Sequence, residues 1–143
     1  MADPSAHPRV EPHLCVIDGA AALAFYQKAF GAKVVMTVPA QDGLRLMHAT
    51  VQLFGGEILV HDEFPEHRGE GVVRSPFTVR GPSVAINVNL DRADDVDAAM
   101  ARAVGAGAIV VMEPENTFWN ARYGRIQDPF GHVWAFNAPL PDA

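Results

Sequence analysis

Apolar residues recur along this chain with two spacings, and the order of those spacings is repeated. Over Ala20–Phe30, and again over Val96–Val104, they fall every third or fourth residue in Ala-rich stretches, which predicts two amphipathic helices. Asp18 and Asp94 precede these stretches at positions suited to helix capping. Gly31 and Gly107 follow them, where a left-handed residue is commonly needed. A short strand leads into each helix, His13–Ile17 in the first case and Val84–Leu90 in the second. Three β-rich stretches follow the first helix, Lys33–Val38, Leu44–Leu53 and Glu57–Asp62. Three more follow the second, Ile109–Met112, Arg122–Gln127 and His132–Asn137. The sequences FGGE and DPFGH supply the tight turns between the last two strands of each set.

One offset relates the two sets. AFGAKVV resembles GAGAIVV and FGGEILVH resembles FGHVWAFN; Gly31 and Gly107, Gly55 and Gly131, and Asp18 and Asp94 all stand 76 residues apart. A constant, gap-free offset over three landmarks predicts an internal duplication. The chain reads as one α+β domain over 1–143, built from two tandem βαβββ modules. Module one is placed at 11–62, a connecting loop at 63–82 and module two at 83–139. The connection is rich in charge, Pro and Gly and is long for a compact domain, as functional lids often are.

Alternation along each strand sorts its residues onto two faces. In the third strand Met47, Ala49, Val51 and Leu53 form an apolar face for the helix, leaving Leu46, His48, Thr50 and Gln52 on the other. In the fourth, Ile58 and Val60 pack and Glu57, Leu59 and His61 do not. Their repeats place Trp134 and Phe136 inside, with Val133, Ala135 and Asn137 on the free face. Val84, Ile86 and Val88 pack, whereas Ala85, Asn87 and Asn89 stay free. In the first strand Glu11, His13 and Cys15 share a face. Period two sets Arg122 and Gly124 on the free face and Tyr123 on the other. The repeat matches Gly124 to His48, so module two is expected to leave space where module one has an imidazole.

Composition narrows the function classes. With 49% hydrophobic and 20% charged residues over 143 positions, the chain has ordinary globular values and can bury a core. A net charge of −6, with eleven scattered Lys and Arg, argues against nucleic acid and anionic membrane surfaces. No 18-residue apolar run is present, and Met1 to Pro8 lacks the pattern of a secretory signal, so cytoplasmic residence is expected. A single cysteine, Cys15, excludes a disulfide framework and reads as a buried inert thiol.

The free faces carry polar and titratable groups, as a small-molecule cleft would. His48, in mid-strand, is the candidate ligand contact or general base. Trp119 and Arg122 add an aromatic surface and a planar cation suited to a carboxylate or phosphate. The bland alternative for Arg122 is a structural pair with an acid such as Asp128. The run DEFPEHRGE, with His67, reads as a solvated loop, and His7 and His132 as loop or turn residues.

FYQKAFGA, LMHATVQLFGGEILVHDEFPE and FWNARYGRIQDPFGHVWAF resemble the glyoxalase, bleomycin-resistance and extradiol-dioxygenase superfamily, also called vicinal oxygen chelate. The match is strongest with its PhnB-like branch, sometimes labelled 3-demethylubiquinone methyltransferase-like, and covers Glu11 to Pro139. The resemblance implies curved mixed sheets around a cleft, often in a homodimer, and no single chemistry. It places the family's metal ligands at Glu11, Leu59, Ala85 or Asn87, and Ala135. Leucine and alanine side chains donate no electron pair, so that site is expected to be dismantled and no cofactor is predicted. The alternative is a divalent ion held by His13, His48 and His61. No glycine-rich turn follows a strand in the manner of an S-adenosylmethionine site. The expected function is small-molecule binding through Glu11, His13, His48, His61, Asn87, Trp119 and Arg122. The alternative is a metal-dependent or His-assisted lyase, isomerase or dioxygenase acting on a small oxygenated substrate.

Overall fold

The computed structural model describes residues 9–66 and 73–141. His7 and His67, and the readings made of them, lie outside the described residues. The first half runs β1 (His13–Val16), α1 (Gly19–Phe30), β2 (Lys33–Pro39), β3 (Leu46–Leu53) and β4 (Gly56–Asp62). A short helix, α2 (Pro76–Val79), lies in the connection. The second half runs β5 (Ala85–Asn89), α3 (Ala93–Ala106), β6 (Ile109–Asn116), β7 (Ala121–Gln127) and β8 (Val133–Pro139). Two four-stranded mixed sheets result, ordered β1-β4-β3-β2 and β5-β8-β7-β6, with the outer pair β1/β4 or β5/β8 parallel in each. The architecture is the repeated βαβββ unit that the offset predicts.

Gly31 and Gly107 close α1 and α3 with positive φ, and Gly55 and Gly131 both turn with positive φ ahead of the last strand of each half. The offset breaks at the helix starts. Asp18 caps α1 by accepting from the Ala21 N–H at 3.1 Å, but α3 begins after Arg92, which makes no side-chain cap. Asp94 is therefore not a cap; it lies with Asp95 in the first turn, where negative charge suits the helix dipole. α3 has 14 residues against 12 in α1, and this two-residue extension absorbs the difference.

One apolar cluster serves both halves: Ala49, Val51, Ile58 and Val60 of the first sheet and Ile126, Trp134 and Phe136 of the second meet α1 and α3. Asp128, in the turn before β8, fastens the halves together. Its Oδ2 accepts from the Tyr26 hydroxyl of α1 at 2.7 Å and from Trp134 Nε1 at 2.9 Å; its Oδ1 accepts from the Phe130 and His132 N–H groups. Burial, then Asp128 itself, holds the Tyr26 hydroxyl well above its ordinary range. Asp62 does similar work inside the first half, accepting from the Gly19 N–H at 2.8 Å and the Leu46 N–H at 2.6 Å. These two buried carboxylates satisfy backbone donors at places where no strand or helix partner exists.

The connection is not simply solvated, as its composition suggested. Asp62 and Phe64 are buried, with the Arg45 guanidinium 4.5 Å above the Phe64 ring. Glu63 accepts from the Ser75 N–H at 2.7 Å and also from the Thr78 hydroxyl. Among the described residues no helix is long and apolar enough to cross a membrane.

Candidate functional site

In each sheet α1 or α3 covers one face and not the other. On the face of the first sheet away from α1, three imidazoles converge from three strands, His61 buried and His13 exposed. His13 of β1 lies 4.5 Å, centroid to centroid, from His61 of β4, and 5.8 Å from His48 of β3, both in edge-on contact. The register explains the meeting: β4 pairs with β1 on one side and with β3 on the other, setting Cys15 beside His61 and Thr50 beside Leu59. His48 Nε2 lies 2.8 Å from Thr50 Oγ1, and His61 Nδ1 lies 2.7 Å from the Asp62 carbonyl, which fixes that nitrogen as the donor. No hydrogen bond engages the His13 ring among the described residues. His13 is exposed, yet partial desolvation beside its neighbours, then the charges of His61 and His48, lower its pKa and favour the neutral ring.

Alternation in β3 fails at one point. Val38 pairs with His48 but Pro39 pairs with Leu46, so Met47 is the extra residue of a bulge. Met47 is exposed, whereas Leu46 packs against the core, the reverse of the period-two expectation. His48 keeps its predicted face. Val84, expected to pack, precedes β5 and is exposed.

The second sheet corrects the reading more deeply. Val51 pairs with Ile58 across the first hairpin, seven positions on, while Ile126 pairs with Trp134, eight positions on. The DPFGH turn is thus one residue longer than its counterpart, and a one-residue slip exchanges the faces of β7. Gly124 points at α3, where a β-carbon would overlap the Met100 thioether and meet Pro114 Cα at 3.1 Å. The residue matched to His48 is therefore Tyr123, not Gly124, and no open space stands there. Arg122 also turns to the helix side, with Nη2 2.9 Å from Asp97 Oδ1 of α3; neither the free face nor Asp128 receives it. Tyr123 and Arg125 take the bare face, the Arg125 Nε donating to the Tyr123 hydroxyl at 2.7 Å. Trp119 joins them, its ring 5.7 Å from Tyr123. Arg125 was not identified from the sequence; a count of the turn residues would have found it.

Asn87 lies on the same face of β5, beside Ala135, donating to Asn89 Oδ1 at 2.9 Å. The register pairs His13 with Leu59 and Asn87 with Ala135, so His13 and Asn87 are the repeat mates. Glu11 lies outside β1, ion-paired with Arg9 at 2.7 Å, and does not join the histidines. Cys15 is buried, its Sγ 3.7 Å from the Val73 carbonyl, and burial pushes the thiol up to about 12. It is inert at neutral pH.

The metal set implied by the resemblance does not fit. Leu59 and Ala135 offer no donor, and Glu11 is turned to Arg9. Among the described residues no group of three His, Cys, Asp or Glu is arranged to hold a metal ion, the three histidines included.

Comparison with known proteins places this geometry. The family model described as Glyoxalase/Bleomycin resistance protein/Dioxygenase superfamily matches residues 7–136. An uncharacterised protein of Mycobacterium bovis is 40% identical over 133 residues, covering 93% of this chain and 84% of its own. A Pseudomonas aeruginosa protein of known structure is 22% identical with a TM-score of 0.71, over 94% of this chain and all of the other. A Bacillus cereus structure titled putative 3-demethylubiquinone-9 3-methyltransferase, PhnB protein, is 17% identical with a TM-score of 0.67, again over 94% and 100%. At these identities the two structures share the fold.

Proposed function

The chain belongs to the glyoxalase/bleomycin resistance protein/dioxygenase superfamily, and from that premise we propose that it is a metal-free small-molecule binding protein of the PhnB-like branch. The observation that carries the reading is the convergence of His13, His48 and His61 on the sheet face away from α1. Three imidazoles in edge contact add nothing that an apolar trio would not give to packing. They do offer several hydrogen-bonding nitrogens to a ligand. Tyr123, Arg125, Trp119 and Asn87 supply the corresponding polar face of the second sheet.

The test begins with native mass spectrometry of protein purified without added metal. A small organic molecule should be retained, and zinc, nickel, manganese and iron should all be well below stoichiometric. His48→Ala is expected to change stability by no more than about 0.5 kcal/mol, as substitutions away from the core do. It should also weaken retention of that molecule about tenfold or more, the worth of one good polar contact. Unfolding by His48→Ala with unaltered binding in the folded fraction would reject the assignment.

A second reading, a His-assisted enzyme, is favoured by one feature. His13 is held toward its neutral form with no hydrogen bond on its ring among the described residues, as a general base requires. In that case His13 takes the role of general base expected of His48.

The protein is further proposed to act as a homodimer. β2 and β6 each form one edge of their sheet, and they expose Val35, Met36 and Val38, and Ile109, Val110 and Val111. Apolar rows on unpaired edges are ordinarily covered, and a second copy would cover them. Light scattering at tens of micromolar should return twice the chain mass. A monomer mass there would refute this.

A further inference from the structure

Between the start of β1 and the start of β5 lies a cavity of about 540 Å³. Leu14, Val79 and Ile86 give it apolar walls, while His13, Asn87 and Arg74 are polar groups in its lining. Arg74 is the anomaly. Its Nη1 is buried and has no hydrogen-bond partner. Guanidinium is never deprotonated in a protein, so this nitrogen is a cationic donor out of reach of water. Native structures seldom leave such a group unpaired, and each exception calls for an explanation.

Among the described residues no acceptor hydrogen-bonds it, and the Glu63 carboxylate acts on Arg74 through charge. Glu63 accepts from the Ser75 N–H at 2.7 Å and from the Thr78 hydroxyl. The segment that carries Arg74 is held in place on both sides. The Cys15 thiol donates to the Val73 carbonyl at 3.7 Å, and Ser75, fully buried, caps α2. His132 Nε2 is engaged with the Cys15 carbonyl at 2.8 Å. A guanidinium that lines an apolar cavity and keeps one donor without an acceptor is preorganised to take a carboxylate oxygen.

We infer that Arg74 anchors the carboxylate of a small organic acid whose apolar body fills the cavity between β1 and β5. The inference rests on the small-molecule reading above and adds the ligand's charge and shape to it. A monocarboxylate fits better than a phosphate for two reasons. Among the described residues Arg74 is the only Lys or Arg in the cavity lining, so a dianion would be left half-neutralised. The walls of Leu14, Val79 and Ile86 also need carbon against them, which inorganic phosphate lacks. His13 lines this cavity and also touches the other two histidines, so an acid seated on Arg74 lies next to the imidazole group.

The probes are phenylacetate, 3-phenylpropanoate and 4-phenylbutanoate, each beside its alcohol, together with inorganic phosphate, titrated by calorimetry. At least one acid should bind about tenfold or more tightly than its alcohol, the least expected of a charge-assisted pair in a buried site. Phosphate should bind more weakly than that acid. Arg74→Met should bring the acid down to the alcohol's affinity, and Arg74→Lys should restore part of the difference. Arg74→Met should also raise the urea midpoint of the ligand-free protein, because it removes a buried donor that has no acceptor. An arginine with a merely structural role would lower it. The inference is overturned if no acid outbinds its alcohol, or if Arg74→Met leaves the preference intact. A retained neutral molecule whose binding ignores Arg74 would sink this inference and spare the binding reading. Binding of neither probe nor native molecule would sink both.

Discussion

Asp128→Ala is expected to destabilise the protein by about 3–5 kcal/mol, a large share of what a small domain has to lose. The four donors that converge on this carboxylate are a tyrosine hydroxyl, an indole N–H and two backbone N–H groups. Tyr26 and Trp134 are almost wholly buried, so water does not replace the lost acceptor. Each unsatisfied donor costs about 1–3 kcal/mol, and relaxation of the turn recovers part of the sum. Asp128→Asn keeps one acceptor oxygen and should cost less. Tyr26→Phe removes a single donor together with its hydrogen bond and should cost about 1 kcal/mol. Urea unfolding at constant slope gives the comparison. A loss below about 1 kcal/mol for Asp128→Ala would mean that the two halves do not depend on this fastening.

Gly124→Val is expected to cost about 2–3 kcal/mol by overpacking. The new β-carbon meets the Met100 thioether, which is buried and has little room to swing, and Pro114 Cα at 3.1 Å, which is backbone. Valine suits a strand, so backbone propensity works in the opposite direction and the loss is steric. Met100→Ala in the same chain should recover part of it, giving a coupling that simple additivity lacks. If β7 presented Gly124 to the bare face, Gly124→Val would be silent. The experiment therefore reads the orientation of the whole strand.

That orientation separates what the sequence made legible from what it did not. The helices were legible because Phe25, Tyr26 and Phe30, or Val96, Met100 and Ala103, fall on one side at helical spacing and end at glycines. The histidine group was legible because β1 and β4, and the part of β3 beyond its bulge, alternate without interruption between Ala49 and Leu53. β7 was misread because its apolar content is thin: among Arg122, Tyr123, Gly124 and Arg125 no period-two signal exists, and the face was inherited from a repeat offset. The extra residue in DPFGH breaks that offset where the glycine landmark, two positions before β8, does not reveal it. Arg74 is not legible in the sequence, because a lone arginine in a charged connection carries no periodic signal. Its meaning comes only from the cavity and the missing partner.

The longer DPFGH turn has a consequence for how two copies of one unit drift apart. Point substitution changes one side chain at a time, and each change must be tolerated by the packing around it. Lengthening a hairpin by a single codon advances a strand by half a pleat and trades every residue between inside and outside together. Such a step survives only if the newly inward positions are already small or can find an internal partner, as Gly124 and the Asp97-bound Arg122 do. Tyr123 and Arg125 reach the outer surface by the same event. A duplicated gene thus has a route to two chemically distinct surfaces in which the letters are conserved and only their phase is moved.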